Sequence, residues 1–84
     1  MATYYFHIRD GYDQPDEVGA VLPDIAAARR QAVQVLSEML SEQPDRFWDD
    51  GQLQVVVSDE TNLTLFVLDV IATPAPSIGV SRRS

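Results

Sequence analysis

The fold of this chain is decided by residues 24–43, DIAAARRQAVQVLSEMLSEQ. Apolar side chains recur there at steps of three and four residues, while arginine, glutamine, serine and glutamate occupy the opposite side. Asp24 suits the N-cap position, because its carboxylate can accept hydrogen bonds from the first amides, and Pro44 predicts the end of the helix. The period predicts one long helix with a single buried stripe, formed by Ile25, Ala28, Ala32, Val35, Leu36, Met39 and Leu40.

Four strands are predicted around this helix. Residues 3–10, TYYFHIRD, alternate strictly between an apolar side and a polar-aromatic side. Residues 17–22 predict a short return strand, in which Gly19 marks a bulge or a close backbone approach. Residues 52–59 and 63–70 predict a second hairpin, because the residues that join them favour a tight reversal.

The order of these elements predicts an α+β fold, a two-layer β-β-α-β-β domain with one helix packed on a mainly antiparallel four-stranded sheet. The first strand has the richest apolar side, so we expect it to join the two hairpins. If the first and last strands are neighbours instead, they run parallel, as in ubiquitin-like folds. We assign residues 1–72 to a single domain and predict a disordered tail for residues 73–84, which are rich in Pro, Ser and Gly.

The connection after the helix, PDRFWDDG, contains two large rings, Phe47 and Trp48. We expect both rings to fold back and fill the end of the core, where each can bury a large apolar area. The alternative is an exposed anchor for a partner, since aromatic side chains are enriched at interfaces.

Composition restricts the function. The chain of 84 residues has no cysteine, which excludes disulfides and thiolate metal sites and favours the cytoplasm. No apolar run approaches the length of a membrane span, and we see no signal peptide. The net charge is −7, and without Arg82 and Arg83 four arginines face thirteen carboxylates, a net charge of −9. Such a surface repels phosphate, so we expect no direct nucleic-acid binding; it suits a basic protein partner or simply maintains solubility.

One side of the sheet is predicted to lack a cover. A single helix covers one side of four strands, yet both sides of the second hairpin are apolar. Apolar side chains that remain exposed to solvent do not gain the free energy of burial. We therefore predict that a second copy, in a homodimer, or a protein partner covers that side. We expect the interface to contain Tyr5, His7, Val56, Phe66 and Leu68. The alternative is a curled sheet with the tail or the Phe47–Trp48 segment folded across it.

The loop from Asp10 to Glu17 and the single histidine are the two candidates for chemistry. The loop has four carboxylates, which suggests calcium, but they come every third residue and Pro15 intrudes, so a solvated loop is the preferred interpretation and we predict no metal. His7 is a possible general base with a loop carboxylate such as Asp10. No nucleophile motif, glycine-rich phosphate loop or H-x-E pair accompanies it, so we predict no catalytic residue and no cofactor.

Four motifs carry a resemblance: YYFHIRDG, PDEVGAVLPD, AARRQA and VVVSDE. From Tyr4 to Val70 the chain resembles a family of short uncharacterised bacterial proteins, mostly proteobacterial, which is a domain of unknown function and implies no activity. From Tyr4 to Leu40 it also resembles HicB-like antitoxins, although their glycine-cysteine stretch and C-terminal DNA-binding helix are missing. That likeness implies a small acidic inhibitor that masks a basic toxin.

Three functional hypotheses follow. The first is a non-enzymatic protein-binding or self-association module that acts through the uncovered side of the sheet. The second is an antitoxin-like acidic inhibitor or regulator of a basic protein partner. The third is an enzyme or metal-binding domain centred on His7 and the loop from Asp10 to Glu17.

Overall fold

The computed structural model describes residues 1–75 of the chain. One main helix lies on an antiparallel sheet there, so the predicted α+β class is confirmed. The predicted tail extends beyond this part, since residues 76–84 lie outside the described residues. The elements are β1 (Ala2–Arg9), β2 (Asp13–Gln14), β3 (Ala20–Leu22), α1 (Ile25–Glu42), α2 (Pro44–Asp50), β4 (Gln52–Ser58) and β5 (Thr64–Ile71).

Helix α1 begins and ends close to the predicted positions. Asp24 is the N-cap, and its carboxylate accepts a hydrogen bond of 2.9 Å from the amide three residues later. Ala28 and Ala32 are fully buried, because alanine has no side chain beyond Cβ and lets the helix approach the sheet closely. They meet Val55 and Val57 of β4, which are equally buried. The core lies between α1 and the sheet, and the predicted stripe is confirmed for the residues that belong to it or pack against it: Ile25, Ala28, Ala32, Val35 and Leu36.

The segment after α1 differs from the prediction. The sequence predicts a loop there, but a second helix, α2, forms instead. Pro44 occupies its first turn, where a missing amide proton costs nothing, so this proline ends one helix and begins the next. Gly51 closes α2 at a φ of 75°, and its amide donates to the Phe47 carbonyl at 2.7 Å. Phe47 is partly buried, but Trp48 is 68% exposed, so the prediction that both rings fill the core is wrong for Trp48.

Within residues 1–75, β4 lies at the centre of the sheet between β1 and β5, and the pairings are antiparallel. The first strand therefore joins the two hairpins, as the sequence predicts, and its neighbour is β4 instead of the last strand. The outer side of β1 is shared by β3, which pairs with its first residues, and by β2, which pairs with its last. The return strand predicted at residues 17–22 is thus shorter than expected, and the loop before it contains a two-residue strand.

The two sides of β5 are the reverse of the prediction. Directly opposed residues of antiparallel strands share a face, and Phe66 and Leu68 are opposed to the buried Val57 and Val55. Phe66 and Leu68 therefore pack against the core, and the prediction that they belong to the uncovered side is wrong. The register shifts between Val57 and Ser58, and a shift of one residue is enough to exchange the two faces of a strand.

Gly19 is a point of close approach, as predicted. Its φ of 77° lies in the left-handed region. A Cβ at this position would lie 2.8 Å from Cγ2 of Thr3 and 2.9 Å from Cε2 of Tyr5, closer than real Cβ contacts. The chain can therefore pass beside β1 only with glycine here.

Candidate functional site

The side of the sheet that faces away from α1 is the candidate functional surface, and we call it the open face. It is lined by alternate residues of the three long strands and by one residue of β3. Since α1 packs on the opposite side, this is where an interaction surface is available. The residues are Val21 of β3; Thr3, Tyr5, His7 and Arg9 of β1; Gln52, Gln54, Val56 and Ser58 of β4; and Leu65, Val67, Asp69 and Ile71 of β5.

One half of the open face is an apolar strip made of Tyr5, Val56, Leu65 and Val67. Val56 is buried and lies opposite Val67, which is 45% exposed. Leu65 is 37% exposed. These exposed aliphatic side chains, next to a buried valine, form an apolar surface that association would remove from water. Tyr5 and Val56 lie on this side as predicted, and Leu65 and Val67 take the place of the two residues predicted from β5.

The other half is a polar row. Arg9 forms an ion pair with Asp13 at 3.4 Å, and both side chains are largely exposed, so the pair contributes little to stability. Asp69 accepts hydrogen bonds from the side-chain amides of Gln52 and Gln54 at 3.0 and 3.1 Å. The row satisfies its own polar groups and separates the apolar strip from Ile71, which is 62% exposed at the far end of the same face.

His7 lies between the two halves with both ring nitrogens occupied. The backbone N–H of Asp16 donates to Nδ1 at 3.0 Å, so Nδ1 is an acceptor and the proton of the neutral ring is on Nε2. Nε2 lies 2.8 Å from Oγ of Ser58 and therefore donates to it. The ring also stacks on Tyr5, with 6.5 Å between the ring centroids. His7 is thus held in one orientation and one tautomer.

His7, Asp16 and Ser58 have the composition of a catalytic triad but the reverse direction of hydrogen bonding. In a triad the carboxylate accepts from Nδ1 of the histidine, and the serine gives its proton to Nε2. Here Nδ1 accepts and Nε2 donates, and Ser58 is buried. The arrangement fastens a loop to two strands and does not prepare Ser58 as a nucleophile.

Asp16 fastens the loop between β2 and β3. Its Oδ2 accepts from the Phe6 amide at 3.1 Å, and its Oδ1 accepts from the amides of Val18 and Gly19 at 2.9 and 3.0 Å. Partial burial by itself raises the pKa of Asp16, but the three backbone hydrogen bonds and the nearby His7 outweigh it and hold that pKa below its ordinary value. The ionised carboxylate is therefore part of the folded structure.

Asp10 is buried and directs its hydrogen bonds away from His7. Its Oδ1 accepts from Nε2 of Gln14 at 3.0 Å and pairs with Arg46 at 3.3 Å, while Oδ2 has no hydrogen-bond partner among the described residues. The guanidinium of Arg46 lies over the ring of Tyr12, 5.5 Å from its centroid. The hypothesis that His7 works with Asp10 is wrong, because Asp10 ties its loop to α2.

The carboxylates of the loop from Asp10 to Glu17 do not converge. Asp10 and Asp13 each pair with an arginine, and Asp16 binds backbone amides. Within residues 1–75 no three or more histidine, aspartate or glutamate side chains come together in a way that could hold a metal ion. The calcium alternative therefore has no shared ligand set in that part of the chain.

Sequence reasoning missed the role of Asp16 and the exposure of Leu65 and Val67. The sequence does contain a signal for Asp16. The side chain of an aspartate in a turn often accepts the backbone amide two residues later, which forms an Asx turn. Its third bond, to Phe6, depends on how the loop returns to β1. The exposure of Leu65 and Val67 has no local signal, because both sides of β5 are apolar.

These features define a class of protein: a small two-layer α+β domain in which residues 1–75 leave one partly apolar face of the sheet open. No helix in the described part of the chain has both the length and the apolar character to cross a membrane. The chain belongs to the family described as a domain of unknown function, DUF6894, whose model matches residues 3–72, so the resemblance to such a domain is confirmed. No curated protein and no solved structure matches the chain.

Proposed function

We propose that this protein is a non-enzymatic protein-binding module that associates, with itself or with a protein partner, through the apolar strip of the open face. The observation that supports the proposal is the partial exposure of Leu65 and Val67 beside the buried Val56. A cytoplasmic location is part of the proposal, since a chain without cysteine suits a reducing compartment.

Burial of the apolar strip supplies a modest driving force. Full burial of a valine or leucine is worth about 1.5–3 kcal/mol, so drying the exposed fractions of Leu65 and Val67 gives roughly 1 kcal/mol for each side chain. In a symmetric dimer every contact is made twice. The net charge of −7 on each copy opposes association, and salt screens that repulsion. We therefore expect self-association that strengthens as the salt concentration rises.

Size-exclusion chromatography with light scattering tests this proposal. The wild type, Val67→Asp and Val33→Asp are compared over a series of protein concentrations. Val33 is the matched control, because it is 53% exposed but lies on α1. We expect a wild-type dimer, a shift to monomer for Val67→Asp, and no change for Val33→Asp. A wild type that stays monomeric at the highest concentration contradicts the self-association.

A second candidate function, regulation of a basic protein partner, is favoured by the surface of α2. Trp48 is 68% exposed, and Asp45, Asp49 and Asp50 of the same short helix are exposed as well. An exposed tryptophan among carboxylates suits lysine and arginine side chains, which combine charge pairing with cation–π contact. The negative net charge of the chain also attracts a basic partner over longer distances.

Trp48 is the single tryptophan of the chain, so its fluorescence reports directly on α2. We expect an arginine-rich peptide to shift the emission in a saturable way, and a glutamate-rich peptide of equal length to have no effect. The double variant Asp45→Asn, Asp49→Asn should bind more weakly, whereas Glu60→Gln, which removes an exposed carboxylate elsewhere, should not. No change in the tryptophan emission when the arginine-rich peptide is added would contradict this second candidate function.

A further inference from the structure

The edge of the sheet formed by β5 presents backbone groups as well as side chains. Ala72 donates its amide to the Gly51 carbonyl at 2.9 Å, so the backbone groups of this pair point at each other. Such pairs alternate along an antiparallel ladder, and the register is unbroken along β5 up to its bulge. It follows that Val67, Asp69 and Ile71 direct their N–H and C=O groups away from β4. Within residues 1–75 no strand pairs with that edge.

The edge also lacks the usual protection. Natural edge strands are guarded by short length, proline, bulges or charges along the edge. β5 continues for eight residues, TLFVLDVI, and its bulge lies at its first residues. Its single charge, Asp69, is held over the open face by Gln52 and Gln54. Little in β5 therefore discourages another strand from pairing with it.

We infer that β5 pairs antiparallel with β5 of a second copy, across a two-fold axis at Val67, so that the two sheets become one. The inference rests on the proposed function and specifies how self-association is made. Backbone hydrogen bonds join the two edges. Val67 meets its counterpart at the axis, and Leu65 lies diagonally beside Val67 of the second copy on the same face. Residues that meet across such an axis lie on the same face, so both α1 helices lie on one side and the two open faces are continuous.

The charge of Asp69 restricts the position of the axis. An axis at Asp69 or Leu68 brings the two carboxylates to within about 8 Å of each other. An axis at Val67 places Asp69 opposite Leu65 of the second copy and leaves the carboxylates roughly 14 Å apart. That distance exceeds the screening length of about 8 Å at physiological ionic strength. Of these three registers, the Val67 axis is therefore the one that two acidic copies tolerate.

Single cysteines test this register, because the chain has none of its own. In Val67→Cys the two Cα atoms are expected about 5.5 Å apart, which suits a disulfide. In Ile71→Cys, on the same strand and 62% exposed before substitution, they are roughly 27 Å apart. Mild oxidation of the full chain should cross-link Val67→Cys into a dimer and leave Ile71→Cys unlinked. Equal cross-linking of both variants, or none of Val67→Cys, overturns the register.

Val67→Pro tests the backbone of the edge. The amide that it removes points away from β4, so the ladder within the monomer is kept, and thermal melting followed by circular dichroism verifies that the variant folds. We expect the dimer dissociation constant to rise about 30-fold, because two backbone hydrogen bonds are lost. Val67→Thr keeps the amide and the shape of the side chain and should still dimerise.

The outcomes separate this inference from the proposed function. A wild-type dimer that Val67→Pro weakens and Val67→Thr retains supports edge pairing. If Val67→Pro dimerises as well as Val67→Thr, edge pairing is overturned while association through the apolar strip stands. A monomeric wild type overturns both edge pairing and self-association.

Discussion

The two edges of the sheet differ in how their backbone groups are treated. On the β1 side, β2 and β3 divide the edge between them, and the carboxylate of Asp16 accepts the Phe6 amide at 3.1 Å. On the β5 side, the outward backbone groups of Val67, Asp69 and Ile71 meet no strand in the described part of the chain. The difference teaches that this sheet is closed at one edge by its own loop, whereas the described residues leave the other edge without a partner strand.

The closed edge is an interlocked set of contacts. His7 accepts the Asp16 amide, Asp16 accepts three further amides, and Gly19 lets the loop pass beside Tyr5. Because these contacts share residues, losing one of them loosens the others. Of the two edges, the closed edge is therefore the one where single substitutions should have the larger effects on stability.

Gly19→Ala is expected to have the largest effect. The left-handed φ and the contact of a Cβ with Thr3 and Tyr5 together predict a loss of about 2–4 kcal/mol in the free energy of unfolding, measured by urea denaturation. Gly51→Ala is the matched control, because Gly51 has a φ of 75° but no atom within 4 Å of a Cβ. It should cost about 1–2 kcal/mol. Equal losses for the two variants would contradict the close approach at β1.

Asp16→Ala should open the closed edge. It leaves the amides of Phe6, Val18 and Gly19 without their acceptor, so we expect a loss of about 1–3 kcal/mol in the free energy of unfolding. Two unguarded edges should also give assemblies larger than dimers, detected by light scattering. Asp13→Ala, which removes an exposed ion pair, should change stability by less than about 0.5 kcal/mol. A variant of Asp16 as stable as that control would contradict the role of the carboxylate.

The same carboxylate predicts a pH dependence. Since folding holds the pKa of Asp16 below its ordinary value of 3.8, the unfolded chain binds this proton more readily than the folded chain does. The contribution is fully present above pH 3.8 and is lost as the pH falls through the lower folded pKa. Urea denaturation between pH 5 and pH 2 should show a steeper loss of stability for the wild type than for Asp16→Asn. Parallel curves would show that Asp16 is not coupled to folding.

His7→Ala and Ser58→Ala test the hydrogen bond that joins β1 to β4 beside the loop. We expect Ser58→Ala to lower the free energy of unfolding by about 1 kcal/mol, because it removes one side of the 2.8 Å hydrogen bond between Nε2 and Oγ. His7→Ala should lower it by about 1–3 kcal/mol, because it also leaves the Asp16 amide without its acceptor. In a double-mutant cycle the two losses should couple by roughly 0.5–1 kcal/mol. Additive losses would mean that the hydrogen bond does not contribute to stability.

The smallest expected effect concerns the open edge. Replacing both Gln52 and Gln54 with alanine releases the carboxylate of Asp69 from the open face. A free Asp69 can turn toward the edge and guard it, so the dimer should weaken by roughly threefold, as measured by light scattering, while the melting temperature changes little. A dimer that strengthens instead would show that the two glutamines oppose pairing.

Much of the fold was predictable because its signals are local. The helix follows from the spacing of Ile25, Ala28 and Ala32, its start from Asp24, and β1 from the alternation of residues 3–10. The second helix was missed because Pro44 predicts an end but also suits a beginning. For the candidate site, Tyr5 and Val56 were placed on the correct face, since each lies on a strand with one clearly polar or apolar side.

The sequence by itself determined the helix, the long strands, the acidic surface and the excess of apolar side chains over what one helix can cover, because these depend on period and composition. Only the tertiary structure decided that Leu65 and Val67 stay exposed while Phe66 and Leu68 are buried, and that Asp16 closes one edge. The physical reason is register: the faces of a strand alternate at every residue, so one bulged residue between β4 and β5 fixes which side meets the helix.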